Sequence, residues 1–241
     1  MELLPQIEVK SLVDSLRRLK CGRNLSNTAL RVIADVSIRK KIALGKNLWS
    51  MGDPGEFVAI LLGGAIEVSK ININGSETCM GIFGPSDAVG VSAVMKKTQY
   101  PGTAKSISKN TEVLKLYLRS VLQEKNHPAY EEISTWLREL LLSHEQILRD
   151  KIDILSAGRV ERRAIELLSQ LASRFGQKVG KSYFIPILIS KTQISRLVEV
   201  RVETIIRLLS GWSKLGLIEF QKNGIFIQDL EQIALLVEKN E

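Results

Sequence analysis

Hydrophobic residues are spaced differently in successive stretches of this chain. Over residues 1–25 they recur at the three- and four-residue intervals of a helix. Between residues 38 and 120, short apolar runs such as residues 57–62 alternate with glycine-containing turns. The pair Asn74 and Gly75 lies between two such runs and predicts a hairpin, because both residue types tolerate positive φ. Several short strands at this spacing predict a small antiparallel barrel or roll.

From about Ala129 the period lengthens to that of a helix. Mainly apolar positions recur at alternating steps of four and three residues, namely Ile133, Leu137, Leu140, His144, Ile147, Lys151 and Ile154. Such a stripe over about three heptads is typical of a helix that packs against a partner helix. It predicts a dimer interface formed by Ile133, Leu137, Leu140, His144, Ile147 and Ile154. The alternative is one amphipathic helix that packs only on its own domain.

A further helix is predicted over residues 160–175, where the apolar spacing ends at Gly176 as it does at many helix C-termini. Residues 182–188 predict a short strand. Ser190 and Gln193 then have the spacing of a capping box, in which each side chain accepts a hydrogen bond from the other residue's backbone amide. A short helix is therefore expected to begin at this point.

The apolar spacing shifts around Glu199, Val200 and Arg201, which indicates a tight turn. A second helix follows over residues 202–214, with Ile205, Leu208, Leu209 and Trp212 on its buried face. The opposite face carries Val202, Glu203, Ile206, Arg207, Ser210 and Lys214. Two short helices joined by a turn, with a polar outer face on the second, predict a helix-turn-helix.

Glu203 and Arg207 are four residues apart, so both side chains can enter one DNA groove. Arginine binds the O6 and N7 atoms of guanine with two parallel hydrogen bonds, and glutamate accepts from cytosine N4. Val202 and Ile206 can contact thymine methyl groups. The alternative for Glu203 and Arg207 is a surface ion pair, which stabilises a helix by only about 0.2–0.5 kcal/mol.

Two apolar runs after the second helix, residues 217–220 and 225–227, predict a hairpin that forms a wing. We expect a type I′ turn at Asn223 and Gly224, with Lys222 near the tip and close to a DNA phosphate. The predicted DNA-contacting residues are Ser190, Lys191, Thr192, Arg201, Val202, Glu203, Ile206, Arg207, Ser210, Lys214 and Lys222.

These segments resemble the CRP/FNR superfamily of bacterial regulators, in the same order along almost the whole chain. Residues 52–66 resemble its glycine-punctuated strand pair, and residues 190–198 and 202–209 resemble its helix-turn-helix. By this resemblance Glu203 and Arg207 occupy the positions that recognise G·C pairs. Val202 replaces an arginine of the cyclic-AMP branch and Ile206 replaces a serine of the fumarate–nitrate branch. The resemblance implies a palindromic DNA site with TTGA-like half-sites.

The sensor residues of the superfamily are absent from the matching positions. Its nucleotide pocket uses a Gly-Glu pair and an Arg-Ser or Arg-Thr pair, because arginine neutralises the cyclic phosphate. Here Gly90 is followed by Val91, and Gly102 precedes Thr103. We therefore expect no cyclic AMP bound in the superfamily's manner. The candidate effector pocket consists of Gly90, Val91, Ser92 and Thr103.

The sequence contains few residues that could bind a metal or take part in redox chemistry. An iron–sulfur cluster needs four ligands, and the chain has two cysteines, Cys21 and Cys79. Haem would depend on His127 or His144, which we expect to be a loop residue and a packed residue respectively. No P-loop, GxGxxG or GxSxG motif is present, and two histidines offer little acid–base chemistry. We expect no cofactor, no metal and no enzymatic activity.

Charge and hydropathy agree with nucleic-acid binding. The chain has 241 residues and a formal net charge of +8, which suits an anionic partner. The N-terminus lacks the basic segment of a signal peptide, and no apolar run approaches the ~20 residues that span a bilayer. We expect a soluble, cytoplasmic protein without membrane contact.

The sequence thus predicts an α+β protein with three parts. An N-terminal antiparallel β-roll of the cyclic-nucleotide-binding type occupies residues 1–125, a dimerisation helix and hinge residues 126–156, and a winged helix-turn-helix residues 157–241. The predicted function is a homodimeric, sequence-specific transcription regulator. Its partners are double-stranded DNA and a second copy, with RNA polymerase and a small-molecule effector as further candidates. The alternative is a small-molecule-binding module whose C-terminal domain contacts a protein.

Overall fold

The computed structural model describes residues 6–239. The first part packs helices against a β-roll. Its helices are α1 (Gln6–Arg18), α2 (Asn27–Asp35), α3 (Val91–Lys96) and α4 (Arg119–Gln123). Its strands are β1 (Ser37–Ile42), β2 (Asn47–Trp49), β3 (Val58–Gly63), β4 (Ile66–Ile71), β5 (Glu77–Phe83), β6 (Ala88–Val89), β7 (Thr103–Ser106) and β8 (Thr111–Leu116).

The strands form two antiparallel four-stranded sheets, in the orders β1-β8-β3-β6 and β2-β7-β4-β5. Their inner faces share a core in which Leu61, Ile66 and Val113 are fully buried. The predicted hairpin joins β4 to β5, and Gly75 adopts a φ of +78° at its turn. Glycine suits this position because it lacks the Cβ atom that disfavours positive φ. The predicted roll is therefore confirmed.

One long helix, α5 (Tyr130–Ser156), follows the roll. Its inner face packs on the chain's own core, and the predicted stripe lies on that face: Ile133, Leu137, Leu140, Ile147 and Ile154 are at most 8% exposed. His144 is half-buried, with Nε2 bonded to the Ala88 carbonyl. The predicted interface therefore needs correction. Spacing identifies an apolar face but not what covers it, and here the roll and the last domain do.

The outer face of α5 carries a second apolar row. Leu141, Leu148 and Ile152 are 37%, 55% and 61% exposed. Leu141 and Leu148 are seven residues apart, which is one heptad. Leu142, next to Leu141, is 67% exposed. These residues are the exposed apolar part of α5.

The last part of the chain is a winged helix-turn-helix. It consists of α6 (Val160–Phe175), β9 (Gln177–Val179), β10 (Ser182–Ile185), α7 (Lys191–Val198), α8 (Val202–Lys214), β11 (Ile218–Gln221), β12 (Gly224–Ile227) and α9 (Leu230–Lys239). The four strands form an antiparallel sheet in the order β11-β12-β10-β9. Its core is continuous with residues of the roll, including Cys79 and Ile82. The last domain therefore packs directly on the roll.

Within residues 6–239, no helix combines the length and the apolar character that a membrane crossing requires.

Candidate DNA interface and sensor interior

The helix-turn-helix begins with the predicted capping box. The Ser190 hydroxyl accepts from the Gln193 amide at 3.1 Å, and the Gln193 side chain accepts from the Ser190 amide at 2.8 Å. The two bonds satisfy amide groups that have no partner within the helix. They fix the start of α7, as the sequence predicted.

The turn between the two helices is tight. Glu199 adopts the left-handed conformation with φ 54° and ψ 54°, and the Val200 amide donates to the Ser195 carbonyl at 3.0 Å. Helix α8 then begins at Val202 and buries Ile205, Leu209 and Trp212. This inner face anchors α8 on the domain core and directs its other face to solvent.

The exposed face of α8 carries the residues predicted to recognise bases. Glu203, Ile206 and Arg207 are exposed, as is Lys214, while Val202 and Ser210 are half-buried. Within residues 6–239 no ion pair joins Glu203 to Arg207. Both side chains are therefore available to a partner, and the surface ion pair that was the alternative does not form.

The remaining predicted contacts surround α8. Ser190, Thr192, Arg201 and Lys222 are exposed, and Lys191 is half-buried with its Nζ atom 5.7 Å from the centre of the Phe220 ring. Ser190, Lys191 and Thr192 lie at the N-terminus of α7, where amide groups and the helix dipole favour anions.

The predicted type I′ turn of the wing is wrong. Lys222 and Asn223 form the turn, and Gln221 pairs with Gly224, which already belongs to β12. None of these residues has positive φ. A Cβ atom on Gly224 would lie 2.2 Å from the Ile185 carbonyl oxygen, so glycine is needed there for the close approach of β10. Lys222 lies at the tip, as predicted.

Two groups of contacts to α7 were not predicted. The Lys151 ammonium of α5 donates to the carbonyls of Arg196 and Leu197, at 3.2 and 2.6 Å, and lies 3.3 Å from the Glu199 carboxylate. The sequence hints at this contact only by placing a lysine within an otherwise mainly apolar stripe.

The roll also binds α7. Glu67 of β4 accepts a hydrogen bond from the Gln193 side chain, and Glu77 of β5 forms an ion pair with Arg196. Glu67 is 4% exposed, so its carboxylate is buried between the two domains. These partners are more than 100 residues apart in the sequence, which no local pattern reveals.

The predicted effector pocket is filled by aromatic side chains. Gly90 has a φ of +84°, and a Cβ atom there would lie 2.9 Å from the Tyr100 ring and 3.1 Å from the Trp49 ring. These two rings are stacked, with centroids 3.9 Å apart. The Tyr100 hydroxyl donates to the Phe57 carbonyl at 2.6 Å and accepts from the Phe57 amide at 3.2 Å. Burial raises the pKa of Tyr100 to about 12.

The other three predicted pocket residues are engaged in the fold. Val91 is fully buried, and Ser92 is half-buried on α3. The Thr103 hydroxyl accepts from the Met51 amide at 3.0 Å. Gly90, Val91 and Thr103 are therefore occupied by packing or by a backbone hydrogen bond of the fold itself.

The cysteines and histidines have structural surroundings. Burial raises the pKa of Cys21 to about 11 and that of Cys79 further, which disfavours the reactive thiolate form. His127 accepts from the Ala129 amide at 3.1 Å through Nδ1. Among residues 6–239, no three His, Cys, Asp or Glu side chains converge as metal ligands would.

A cavity of about 750 Å³ lies elsewhere, where four parts of the chain meet. Its wall includes Cys21 after α1, Asp87 in the β5–β6 loop, Trp136 of α5 and Arg174 of α6. Arg174 forms an ion pair with Asp87 at 2.6 Å and also donates to the Ile82 carbonyl at 2.8 Å. The cavity therefore adjoins a direct link between the roll and the last domain.

Comparisons with known proteins match both parts of the chain. Residues 39–125 match the cyclic nucleotide-binding domain family, and residues 162–236 match the Crp-like helix-turn-helix domain family. A CRP-like cAMP-activated global transcriptional regulator of Mycobacterium tuberculosis is 25% identical over 192 residues, which are 79% of this chain and 84% of the relative. Electron transport regulator A of Shewanella oneidensis is 27% identical over 221 residues, which are 88% and 84% of the two chains.

Solved structures show the same fold. A CRP-family transcriptional regulator of Thermus thermophilus has a TM-score of 0.66 at 17% identity, covering 81% of this chain and 95% of its own. FixK2 of Bradyrhizobium japonicum has a TM-score of 0.64 at 18% identity, covering 83% and 97%.

Proposed function

The chain belongs to the CRP/FNR superfamily of DNA-binding transcription regulators, and from this we propose that it acts as a homodimer on a palindromic site with TTGA-like half-sites. One observation carries the proposal: Glu203 and Arg207 are exposed and unpaired on the same face of α8. We also propose that residues 1–125, 126–156 and 157–241 serve as sensor, dimerisation helix with hinge, and DNA-binding domain.

Base recognition is assigned to the exposed face of α8. Arg207 binds guanine through O6 and N7, and Glu203 accepts from cytosine N4. Val202 and Ile206 contact the outer bases through apolar groups such as thymine methyls. Ser210 lies one turn beyond Ile206 and completes the row.

Phosphate contacts are assigned to the residues around that face. Ser190, Lys191 and Thr192 present the N-terminus of α7 to one phosphate group. Arg201, Lys214 and Lys222 provide cations at the start of α8, at its end and on the wing. Such contacts fix the register of the protein on the duplex but carry no sequence information themselves.

The outer row of α5 is the proposed dimer surface. Leu141, Leu148 and Ile152 are exposed along one side of the helix, and their heptad spacing matches a second copy of the same helix. A two-fold dimer places two recognition helices in successive major grooves when they are about 34 Å apart. The palindromic site reflects this symmetry.

RNA polymerase and a small-molecule effector remain candidate partners from the resemblance. The cavity beside the Arg174–Asp87 ion pair is the proposed effector site, because its volume of about 750 Å³ suits a small ligand and it lies between domains. A metabolite bound there would change a direct link between the roll and α6.

The experiment is a selection of random DNA duplexes by the purified protein without added ligand, followed by sequencing of the bound fraction. We expect a palindrome with TTGA-like half-sites, and loss of preference at one G·C pair in Arg207→Ala. Enrichment without that palindrome would contradict the proposal. If nothing is enriched, a second selection in cell extract separates a missing effector from a domain that does not recognise DNA.

Dimerisation is tested separately by sedimentation of Leu148→Glu. We expect this charge within the outer row to give monomers, because it would be buried at the interface. Leu235→Glu is the matched control, since Leu235 of α9 is 56% exposed and Leu148 is 55% exposed. A dimer that persists in Leu148→Glu would contradict the assignment, and so would an equal loss of the dimer in Leu235→Glu.

A further inference from the structure

The side chain of Lys151 connects the long helix to the helix-turn-helix. Its ammonium contacts three oxygen atoms, which are the Arg196 and Leu197 carbonyls and the Glu199 carboxylate, at 3.2, 2.6 and 3.3 Å. The side chain is 14% exposed, so water competes little for these contacts. Two of its donor hydrogens bond the Arg196 and Leu197 carbonyls, and the Glu199 carboxylate adds an ion pair.

The oxygens that Lys151 binds belong to the end of α7. The last four carbonyls of a helix lack partners within the helix, and a cation near them is favoured by the helix dipole. Arg163 of α6 adds a bond to the next carbonyl, that of Val198, at 3.3 Å, while its Nε atom donates to Gly158 at 2.8 Å. The C-terminus of α7 is therefore held by Lys151 of α5 and by Arg163 of α6.

The position of this end determines where α8 begins. Only Glu199, Val200 and Arg201 separate α7 from α8. The left-handed Glu199 and the bond from the Val200 amide to Ser195 leave little freedom in the turn. A contact that fixes the turn therefore also fixes the direction of the recognition helix.

The roll also holds α7. Gln193 binds Glu67, and Arg196 binds Glu77. Helix α7 thus contacts both the roll and α5, and Lys151 provides hydrogen bonds from α7 to the helix that carries the proposed dimer surface. Lys151 lies one residue before Ile152, which belongs to that surface.

We propose that Lys151 is a positioning residue that sets the angle between α5 and α8 and thereby the half-site spacing that the dimer accepts. The proposal rests on the proposed function, since spacing has meaning only for a dimer on a palindrome. Lys151 itself contacts no base in this role. It acts through the turn, and its effect is separate from the base recognition assigned to Arg207.

DNA geometry makes the effect measurable. One extra base pair moves the second half-site by about 3.4 Å along the axis and rotates it by roughly a tenth of a turn. A dimer with fixed recognition helices rejects such a site, whereas a dimer with a loose joint adapts to it. Selectivity for spacing therefore reports the stiffness of the joint between α5 and α8.

The experiment measures binding of the full chain to duplexes that carry two identical half-sites with the spacer shortened or lengthened by one and two base pairs. A duplex with one half-site measures recognition alone. We expect Lys151→Met to reduce the preference for the best spacer by at least about fivefold, the lower end of typical coupling between sites, while single half-site affinity stays within about twofold. Lys151→Arg keeps the charge and should restore most of the preference.

Lys125→Met is the matched control, because it makes the same chemical change at an exposed position in the loop before α5. An unchanged spacer preference in Lys151→Met overturns the inference, and so does an equal loss in Lys125→Met. Absence of any half-site preference in the wild type contradicts the proposed function instead.

Two further variants cover the case in which Lys151→Met does not fold. Glu199→Gln keeps the turn and removes the charge that faces Lys151. Lys151→Gln removes the ammonium but keeps a polar side chain, so it is the second charge-removing variant at position 151. Loss of spacer preference in Lys151→Gln supports the inference, and wild-type preference in both Lys151→Gln and Glu199→Gln overturns it.

Discussion

The interior of the roll and the outer face of α8 correspond to the nucleotide-binding and DNA-binding surfaces of the two matched domain families. This chain has polar side chains suited to binding on α8 but not in the roll. On α8, Glu203 and Arg207 keep a charged face directed to solvent. In the roll, the rings of Trp49 and Tyr100 occupy the space beside Gly90. The roll can therefore keep its fold without the residues that bind a nucleotide. The roll requires only that its interior be filled, whereas DNA recognition requires particular donors at particular positions.

A basic side chain beside the filled interior also packs against one of its aromatic rings. The Lys115 ammonium lies 4.0 Å from the centre of the Phe57 ring, which is a cation–π contact. Burial is the main cause of its lowered pKa. The ammonium group of Lys115 thus lies over an aromatic ring. We infer that the packed interior stabilises the fold and does not serve as a nucleotide-binding site.

The largest expected effect tests whether the rings of the roll are structural. Trp49→Ala should reduce the free energy of unfolding by about 3–5 kcal/mol, because it removes a buried stacked ring and leaves a cavity. Urea unfolding measures this loss. A loss below about 1 kcal/mol, or an unchanged protein that gains affinity for cyclic AMP, would contradict a filled, structural interior.

The corresponding test of α8 is Arg207→Ala. Binding to the selected site should weaken by about 1–3 kcal/mol, because one bidentate contact to guanine is lost. Discrimination at that G·C pair should fall with it, while the free energy of unfolding should stay within about 0.5 kcal/mol of the wild type, since the side chain is exposed. Equal weakening on all sequences would show that Arg207 contacts phosphate instead.

Tyr100→Phe tests the roll at a single atom. Loss of the hydroxyl leaves the Phe57 amide and carbonyl without this partner, and should cost about 1–3 kcal/mol of stability. The folded state keeps the hydroxyl protonated, since its pKa is about 12, while the unfolded chain ionises near pH 10. The stability contributed by Tyr100 is therefore complete below pH 10 and is lost as the pH rises toward 12.

The check is the difference in unfolding free energy between wild type and Tyr100→Phe at several alkaline pH values. That difference should shrink between pH 10 and 12. A difference that grows over this range would contradict the raised pKa.

The smallest effect concerns the wing. Lys222→Ala should weaken binding about equally on all sequences and reduce the slope of log affinity against log salt by about 1, as expected for one phosphate contact. Titrations at several salt concentrations measure the slope. A change in sequence preference would place Lys222 at a base edge instead.

Local patterns predicted the recognition elements well, because their determinants are close in sequence. Ser190 and Gln193 cap each other across three residues, and the apolar spacing of α8 gave its bounds as residues 202–214. The wing was predicted as well, but its turn was not. Gly224 is required by a contact with Ile185 on another strand, which the dipeptide Asn223-Gly224 does not reveal.

The contacts between domains could not be predicted in this way. Glu67 and Gln193 are 126 residues apart, and each belongs to an ordinary local pattern. The stripe on α5 shows the same limit. Its apolar residues were recognised, but Ile133 and Leu137 pack on the roll while Leu148 and Ile152 remain exposed. Periodicity locates the faces of a helix, and only the tertiary fold decides which neighbour covers each one.

The left-handed Glu199 has an evolutionary consequence. A non-glycine residue in this conformation costs roughly 1–2 kcal/mol, so Glu199→Gly relaxes the backbone of the turn. The same change removes the carboxylate that Lys151 contacts. Relief of the backbone and loss of the ion pair therefore oppose each other in Glu199→Gly. If Lys151 positions α8 as proposed, the glutamate should persist at this position among close relatives.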